Sequence, residues 1–290
     1  MVDICSRCDL ERKIDYIWFD TGLEYQATKN QLNYLEDRYG IQIRREKAIK
    51  SIPRSCKEYG VPFLSKRVSD NIKRLQRHDF QWEDKPYEEL LKKYCTWNEK
   101  KKDWVGCKSA LKWWCNTWGE NSLMNIKRNK WLKEFLIAFP PSITISDQCC
   151  EYAKKKVIHR VIEAEGYELG ISGIRKYEGG QRSTAYKSCF DENFNGESIC
   201  DTYRPLFWYK NQDRKEYEKR CDICHSACYG IYGLQRTGCC GCPFGKNFDY
   251  ELQVMEKYEP KLYKAAIHIF GKSYEYTRAY RKFYQEMNGK

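Results

Sequence analysis

Apolar residues at the start of the chain change from a strand-like to a helix-like spacing and back again. Residues 14–19 form a short apolar and aromatic run that ends at a turn signal beginning with Asp20. Apolar side chains at helical spacing follow, Gly40 is suited to cap that helix, and residues 41–45 alternate as a strand does. This order predicts a βαβ unit. It therefore predicts an α/β fold with a mostly parallel sheet flanked by helices.

Residues 65–140 have a different pattern, rich in Trp, Lys and Tyr, which predicts a helical insertion into the sheet domain. Residues 108–118 and 129–139 are predicted as amphipathic or largely buried helices, and two prolines then end the insertion. Three tryptophans at helical spacing are predicted to be core residues: Trp113, Trp114 and Trp118.

A second sheet-type region follows the insertion. A helix is predicted to end near Gly166, a buried strand to cover residues 167–174, and another strand to lie within residues 198–209. A cysteine-rich loop over residues 220–245 and two closing helices within residues 250–287 complete the chain. The sequence therefore predicts four segments. Residues 1–64 are the first part of a nucleotide-binding α/β domain, and residues 65–140 are the helical insertion. Residues 141–220 are the second part of that domain, and residues 221–290 are the cysteine-rich loop with the last helices.

The composition of the chain argues against a membrane-spanning protein and a secreted protein. No window of the 290 residues approaches the roughly 18 consecutive apolar residues of a membrane span, and the amino terminus does not resemble a secretory signal. We therefore expect a cytoplasmic protein with no membrane partner. The formal net charge of +12 favours an anionic partner, either a nucleotide or a nucleic acid.

Sixteen cysteines in a reducing compartment indicate metal binding or thiol chemistry rather than a disulfide framework. Cys149 and Cys150 stand at a predicted helix start, and after 88 intervening residues comes Cys239-x-x-Cys242, within GCCGCPFG. The vicinal pair and the distant pair together supply four sulfurs, the number of ligands that a [4Fe–4S] cluster needs. Cys240 is then a spare thiol.

Zinc is the alternative, because two CxxC pairs separated by 14 residues are typical of a zinc ribbon. Its ligands would be Cys221, Cys224, Cys239 and Cys242. Spacing alone favours this zinc site. Six further cysteines are interpreted as buried or incidental: Cys56, Cys95, Cys107, Cys115, Cys189 and Cys200.

Four stretches, taken in order, resemble the phosphoadenosine phosphosulfate (PAPS) reductase family, within the PP-loop adenine nucleotide alpha-hydrolase-like superfamily. They are FDTGLE (19–24), the vicinal cysteines, GIRKYEGGQR (173–182) and RTGCCGCPFG (236–245). The resemblance spans about 230 residues and favours the [4Fe–4S] cluster over zinc.

The resemblance also implies a pocket for an adenine nucleotide, either ATP or PAPS. In the family, the FDTG turn contacts the nucleotide at the carboxyl end of a strand, and an arginine motif contacts a phosphate or sulfate group. Arg175 and Arg182 would bind that anion here, with Glu178 orienting one of them. The turn would contribute Asp20, Thr21, Gly22 and Glu24.

Two departures from the family pattern bear on the activity. The phosphate-binding Ser-Gly-Gly-x-Asp-Ser loop is not found before FDTG, so we expect either a truncated amino terminus or lost phosphate binding. A cysteine near the carboxyl terminus, which family members that use thioredoxin carry as a nucleophile, is also not found. We expect a sulfonucleotide reductase-like enzyme or an ATP-dependent sulfurtransferase, as in DNA phosphorothioation and tRNA thiolation. The alternative is a non-enzymatic protein that binds a nucleotide or nucleic acid through a zinc ribbon. A partner subunit or a second copy of the chain is a further candidate partner.

Overall fold

The computed structural model describes residues 1–178, 186–193 and 200–289. The chain forms two compact units and passes between them three times. Unit 1 comprises Met1–Ile49 and Ala153–Thr237, and unit 2 comprises Lys50–Tyr152 and Gly238–Lys290. The four sequence segments given above stay a prediction, because they divide the chain by sequence pattern rather than by spatial grouping.

Unit 1 begins with the predicted βαβ unit. Strands β1 (Tyr16–Asp20) and β2 (Ile43–Lys47) are parallel and in register from their first to their last residues. The helix between them, α2 (Gln26–Tyr39), ends at Gly40, whose φ of 57° is the left-handed conformation that glycine adopts readily. Both the order of elements and the glycine cap are confirmed. The preceding helix is α1 (Val2–Cys8).

Unit 1 also contains a three-stranded sheet with the order β5-β7-β6, in which β5 is parallel to β7 and β6 is antiparallel to it. Its strands are β5 (Leu169–Ile171), β6 (Phe190–Asp191) and β7 (Asp201–Tyr203). The predicted buried strand over residues 167–174 is therefore too long. It is also not buried, because Leu169 is 44% exposed in this short sheet.

The predicted end of the helix near Gly166 is confirmed, whereas the short helix Ala227–Gly230 lies in the segment predicted as a cysteine-rich loop. The helix α9 ends before Gly166, which has a φ of 67°. A short 3-10 turn covers Lys176–Glu178. The α-helices are α9 (Lys156–Glu165), α10 (Asn211–Arg220) and α11 (Ala227–Gly230).

Unit 2 is mainly helical, as predicted for the insertion, and it also includes the two closing helices. A 3-10 turn covers Ile126–Arg128. Its α-helices are α3 (Ile52–Tyr59), α4 (Lys66–Gln76), α5 (Tyr87–Tyr94), α6 (Lys108–Trp114), α7 (Leu132–Ala138), α8 (Gln148–Cys150), α12 (Phe248–Tyr258) and α13 (Pro260–Asn288).

The insertion is not entirely helical, because β3 (Cys95–Asn98) and β4 (Asp103–Gly106) form an antiparallel hairpin. Trp97 and Trp104 face each other across this hairpin with ring centroids 5.7 Å apart, in an edge-to-face arrangement. Such a cross-strand aromatic pair stabilises a two-stranded sheet. The lysine-rich composition of the segment obscured this strand pattern.

The core of unit 2 contains two of the three tryptophans predicted there. Trp113 and Trp114 are fully buried, whereas Trp118 is 39% exposed, so the prediction for Trp118 is wrong. The helical spacing does not extend to Trp118 because α6 ends at Trp114 and Asn116 adopts a positive φ of 59°.

Within the described ranges, none of the helices has both the length and the apolar character that crossing a membrane requires. The protein is a mixed α/β protein in which helices predominate, and its described sheets have two or three strands.

Candidate functional site

The vicinal cysteines lie in unit 2, in a segment held in place by backbone pairing. Val61 pairs in parallel with this segment: its N–H donates to the Thr144 carbonyl at 2.9 Å, and its own carbonyl accepts from Ser146 N–H at 2.9 Å. Gly60 has a φ of 100°, and a Cβ there would lie 2.3 Å from the Thr144 carbonyl oxygen. Only glycine allows this approach, which brings the end of α3 beside the start of α8.

A buried ion pair holds the residue that precedes α8. The Lys73 ammonium lies 2.6 Å from Asp147 Oδ1 and 2.8 Å from Asp70 Oδ1. Lys73 and Asp147 are both largely buried, so their charges interact more strongly than charges at the surface do. Asp147 is the residue immediately before Gln148, so the pair ties α4 to the segment that presents the cysteines.

Cys149 and Cys56 meet where α3 packs against α8. Cys149 is 4% exposed and Cys56 is 6% exposed, and their side chains are hydrogen-bonded to each other. Tyr59 on α3 and Tyr152 stack with centroids 5.0 Å apart, which continues the same contact. Cys56 was interpreted as buried or incidental, and its burial is confirmed. Its position against Cys149 was missed, because the two cysteines lie far apart in sequence.

Neighbouring thiols and burial determine the pKa of Cys149. A hydrogen bond with Cys150 favours the thiolate, but the hydrogen bond with Cys56, burial, and negative charge on Cys56 and Cys242 together outweigh it. The pKa of Cys149 is therefore well above its usual range. Two predicted ligands, Cys150 and Cys242, are thus among the thiols that influence the pKa of Cys149.

The segment after Cys150 is a π-helical turn, Glu151–Lys155, before α9 begins at Lys156. Such single π turns often occur at functional sites, because they redirect side chains within a helix. The sequence pattern predicts a continuous helix here, and the turn is a feature that hydrophobic periodicity does not reveal.

The second cysteine pair lies in a tight loop of unit 2. The Cys242 N–H donates to the Cys239 carbonyl at 3.2 Å, and the Gly245 N–H donates to the Cys242 carbonyl at 2.8 Å. Gly241 adopts a φ of 61°, and its carbonyl accepts a hydrogen bond from the Tyr274 hydroxyl. The loop between Cys239 and Cys242 is therefore fixed by a buried tyrosine from α13. Cys240, the predicted spare thiol, is fully buried.

Gly241→Ala is expected to destabilise the protein by about 1–3 kcal/mol, because of backbone strain and overpacking. A Cβ at Gly241 would lie 2.7 Å from Tyr274 Oη and 3.2 Å from Ala266 Cβ. The matched control is Gly238→Ala, in the same loop, where a Cβ would meet nothing within 4 Å. Urea unfolding of both variants measures the difference, and equal stabilities would show that the Tyr274 contact does not constrain the loop.

Within the described ranges, His, Cys, Asp and Glu side chains nowhere converge in threes or more as a metal ion would require. The donor chemistry itself fits a metal, since the four predicted sulfur ligands are thiols of one compact unit. Iron–sulfur ligation therefore stays a prediction.

The four candidate ligands of the alternative zinc site are divided between the two units. Cys221 and Cys224 belong to unit 1, where their carbonyls accept hydrogen bonds from α2, from Arg38 at 3.0 Å and from Gln31 at 3.0 Å. Cys239 and Cys242 are its other two candidate ligands and belong to unit 2. The zinc ribbon also stays a prediction.

The predicted nucleotide turn lies at the carboxyl end of β1. The Gly22 N–H donates to Asp20 Oδ1 at 2.8 Å, and Gly22 has a φ of 80°. Thr21 is buried and donates to Glu24 Oε1 at 2.6 Å. Burial raises the pKa of Glu24 and outweighs both this hydrogen bond and the positive charge of Lys154. The four predicted residues thus form one hydrogen-bonded turn.

The arginine motif is described only in part. The Arg175 side chain is largely buried; it lies 3.8 Å from Glu178 and donates to Asn211 Oδ1 at 3.2 Å. Glu178 therefore contacts Arg175, the contact expected of a residue that orients the guanidinium. Arg182 lies outside the described residues. The roles of these residues in binding an anion stay predictions.

Comparison of the sequence with protein-family models and with curated proteins gives no match.

Proposed function

We propose that the protein belongs to the PAPS reductase family and binds an adenine nucleotide and a [4Fe–4S] cluster to carry out sulfur chemistry. The proposed reaction is either the reduction of a sulfonucleotide or an ATP-dependent transfer of sulfur. The observation that carries the proposal is that both cysteine motifs fold into unit 2, where Cys149 is buried and Cys239 and Cys242 lie in one tight loop. Cysteines from two motifs distant in sequence thus belong to one compact unit, which supports shared ligation of one cluster.

The proposed ligands are Cys149, Cys150, Cys239 and Cys242. A bound cluster would supply concentrated negative charge and the capacity to accept or donate one electron. Cys149 carries a proton in the absence of metal, because its pKa is raised, so ligation would release that proton. The Tyr274 contact with Gly241 and the ion pair of Lys73 with Asp147 would hold the two cysteine segments in place.

The proposed nucleotide site is the turn after β1. Ligands of parallel α/β sheets bind beyond the carboxyl ends of the strands, and Asp20 is the last residue of β1. The parallel pairs β1–β2 and β5–β7 support the mostly parallel sheet that this proposal includes. Arg175 would contact the phosphate or sulfate group, with its guanidinium held by Asn211 and Glu178.

Anaerobic purification followed by absorption spectroscopy and metal analysis tests the cluster. Iron with acid-labile sulfide and a broad visible absorption are expected. Zinc without visible absorption would contradict the cluster and support the zinc ribbon of a binding protein. Incubation with PAPS and a reductant, or with ATP, a sulfur donor and a tRNA or DNA acceptor that takes the adenylyl group, then separates the two reactions. Sulfite is the product of the first reaction and pyrophosphate is released in the second.

Titration calorimetry with ATP and with PAPS tests the nucleotide site. Thr21→Val is expected to weaken binding about tenfold, because Glu24 loses a buried hydrogen-bond donor. Thr96→Val, at an exposed threonine of unit 2, is the matched control and is expected to bind as the wild type does. Equal affinity of the two variants would mean that the turn after β1 does not contact the nucleotide.

A further inference from the structure

The hairpin of β3 and β4 leaves much of one aromatic side chain exposed to solvent, although that ring also pairs with Trp104. Trp97 is 43% exposed, although tryptophan is usually highly buried. Its partner Trp104 packs partly against the core of unit 2, and Cys95 and Cys107 at the base are buried. The base therefore anchors the hairpin, and Trp97 lies near its tip with one edge of the ring against Trp104.

Three consecutive lysines form the tip beside this ring. Lys100, Lys101 and Lys102 are all exposed, and among the described residues no ion pair involves them. Of the two acidic residues of the hairpin, Glu99 is exposed at the tip and Asp103 is paired with Lys108. The three lysines outnumber Glu99, so the tip carries a net positive charge. The positive charge at the tip is thus available to an anionic partner.

Two lysines of α6 connect the hairpin with a second exposed tryptophan: Lys108 is paired with Asp103, and Lys112 lies beside Trp118. The Asp103 carboxylate has a lowered pKa, chiefly because of its hydrogen bond with Lys108 and also because of the charge of Lys112. Lys112 follows Lys108 by one helical turn, and its ammonium lies 5.0 Å from the ring centroid of Trp118. We call this set the aromatic–basic strip: Trp97, Lys100, Lys101, Lys102, Lys108, Lys112 and Trp118.

We infer that the aromatic–basic strip binds a single-stranded nucleic acid. Exposed aromatic rings stack on bases of any sequence, and lysines between them neutralise the phosphates of the strand. Residues 65–140 carry 17 Lys and Arg against 10 Asp and Glu, so this part of the chain contributes more than half of the net charge of +12. The bases of a duplex are already stacked and cannot occupy these rings, so single strands bind preferentially.

A membrane surface fits the strip less well. Membrane binding by peripheral segments scales with contiguous apolar area. Between the two exposed tryptophans the chain has one exposed large apolar residue, Val105, and the strip itself contains five lysines. The inference goes beyond the proposed function and does not depend on it, because it uses neither the cysteines nor the turn after β1.

Fluorescence anisotropy of the full-length protein with labelled oligonucleotides of mixed sequence tests the inference. Single-stranded RNA, single-stranded DNA and a duplex are compared. Both single strands offer unstacked bases and phosphates, so the experiment decides which of the two binds. Trp97→Ala is expected to weaken single-strand binding about 5- to 100-fold, the loss expected for one stacked base. The Lys100→Ala/Lys101→Ala/Lys102→Ala variant is expected to reduce the slope of log affinity against log salt by about 2.

Trp208→Ala is the matched control, because Trp208 is 59% exposed in unit 1 and also lies beside a lysine, Lys176. It is expected to bind as the wild type does. Quenching of tryptophan fluorescence by an unlabelled oligonucleotide is expected to decrease in Trp97→Ala. The triple lysine variant, whose changes are all at the exposed tip, tests the strip even if Trp97→Ala folds poorly.

Wild-type affinity in both hairpin variants would overturn the inference, as would stronger binding of the duplex. Vesicles of phosphatidylserine and phosphatidylcholine serve as the competing target. Vesicle binding that both variants abolish, without single-strand binding by the wild type, would identify a membrane surface instead.

Discussion

Cys149→Ser and Cys242→Ser are each expected to abolish iron and acid-labile sulfide in anaerobically purified protein. A serine hydroxyl is a poor ligand for cluster iron, and three remaining sulfurs leave one iron without its thiolate. The expected loss is nearly complete, because metal affinity and folding of the site are coupled. Metal and sulfide analysis per polypeptide, together with visible absorption, measures it.

Cys240→Ser is the control within the same loop and is expected to retain the cluster, because Cys240 is the spare thiol. Cys56→Ser is the sharper control, since Cys56 is buried against Cys149 without belonging to the proposed ligands. It is expected to retain iron. Retention of iron in Cys149→Ser would mean that the vicinal pair does not ligate. Loss in Cys56→Ser with retention in Cys150→Ser would mean that Cys56 is the ligand in place of Cys150.

Lys73→Met is expected to lower the free energy of unfolding by about 3–5 kcal/mol, because it leaves the buried Asp147 carboxylate without its counter-charge. Urea unfolding at neutral pH measures this loss. Addition of Asp147→Asn to Lys73→Met removes the buried charge and is expected to restore most of the stability. Lys92→Met, at an exposed lysine of α5, is the matched control and is expected to change stability by less than about 0.5 kcal/mol.

Lys73 is also paired with Asp70, and this second ion pair predicts a dependence on pH. Burial alone would raise the pKa of Asp70, but the hydrogen bond and charge of Lys73 and the charge of Arg74 outweigh it, so the pKa is lowered. The stability contributed by a carboxyl with a lowered pKa is present at neutral pH and is lost as the pH falls through its folded value. The difference in stability between the wild type and Lys73→Met is therefore expected to shrink below the ordinary pKa of an aspartate. A difference that is constant with pH, or below about 1 kcal/mol at pH 7, would contradict this role of Lys73.

The local sequence pattern was sufficient to predict those helices and strands that are specified by residues close together in the chain. The run that ends at Asp20, the apolar spacing of the following helix and Gly40 together predicted β1, α2 and β2, and each is confirmed. Hydrophobic periodicity and a glycine cap act over a few residues, so they are legible without the rest of the fold. The burial of Trp113 and Trp114 followed from the same periodicity.

Prediction from the local pattern failed in two cases. In one, the backbone turns and ends a helix earlier than the spacing of its side chains indicates. In the other, a strand forms only because it pairs with a second strand. Trp118 continues the helical spacing of Trp114, yet it is exposed because the backbone turns at Asn116. The β3–β4 hairpin lies in a segment whose lysines conceal its alternation. A pairing of tryptophans across two strands depends on the turn between them, which spacing within either strand does not encode.

The sequence by itself determined the βαβ start of unit 1, the mainly helical character of unit 2 and the two cysteine motifs, because each rests on residues near one another in the chain. Only the tertiary structure decided that Cys56 lies against Cys149, that Lys73 is paired with Asp147, and that Tyr274 fixes the loop at Gly241. These contacts join residues far apart in sequence. They arise from how helices pack, and packing depends on all the side chains of an interface together rather than on a local motif.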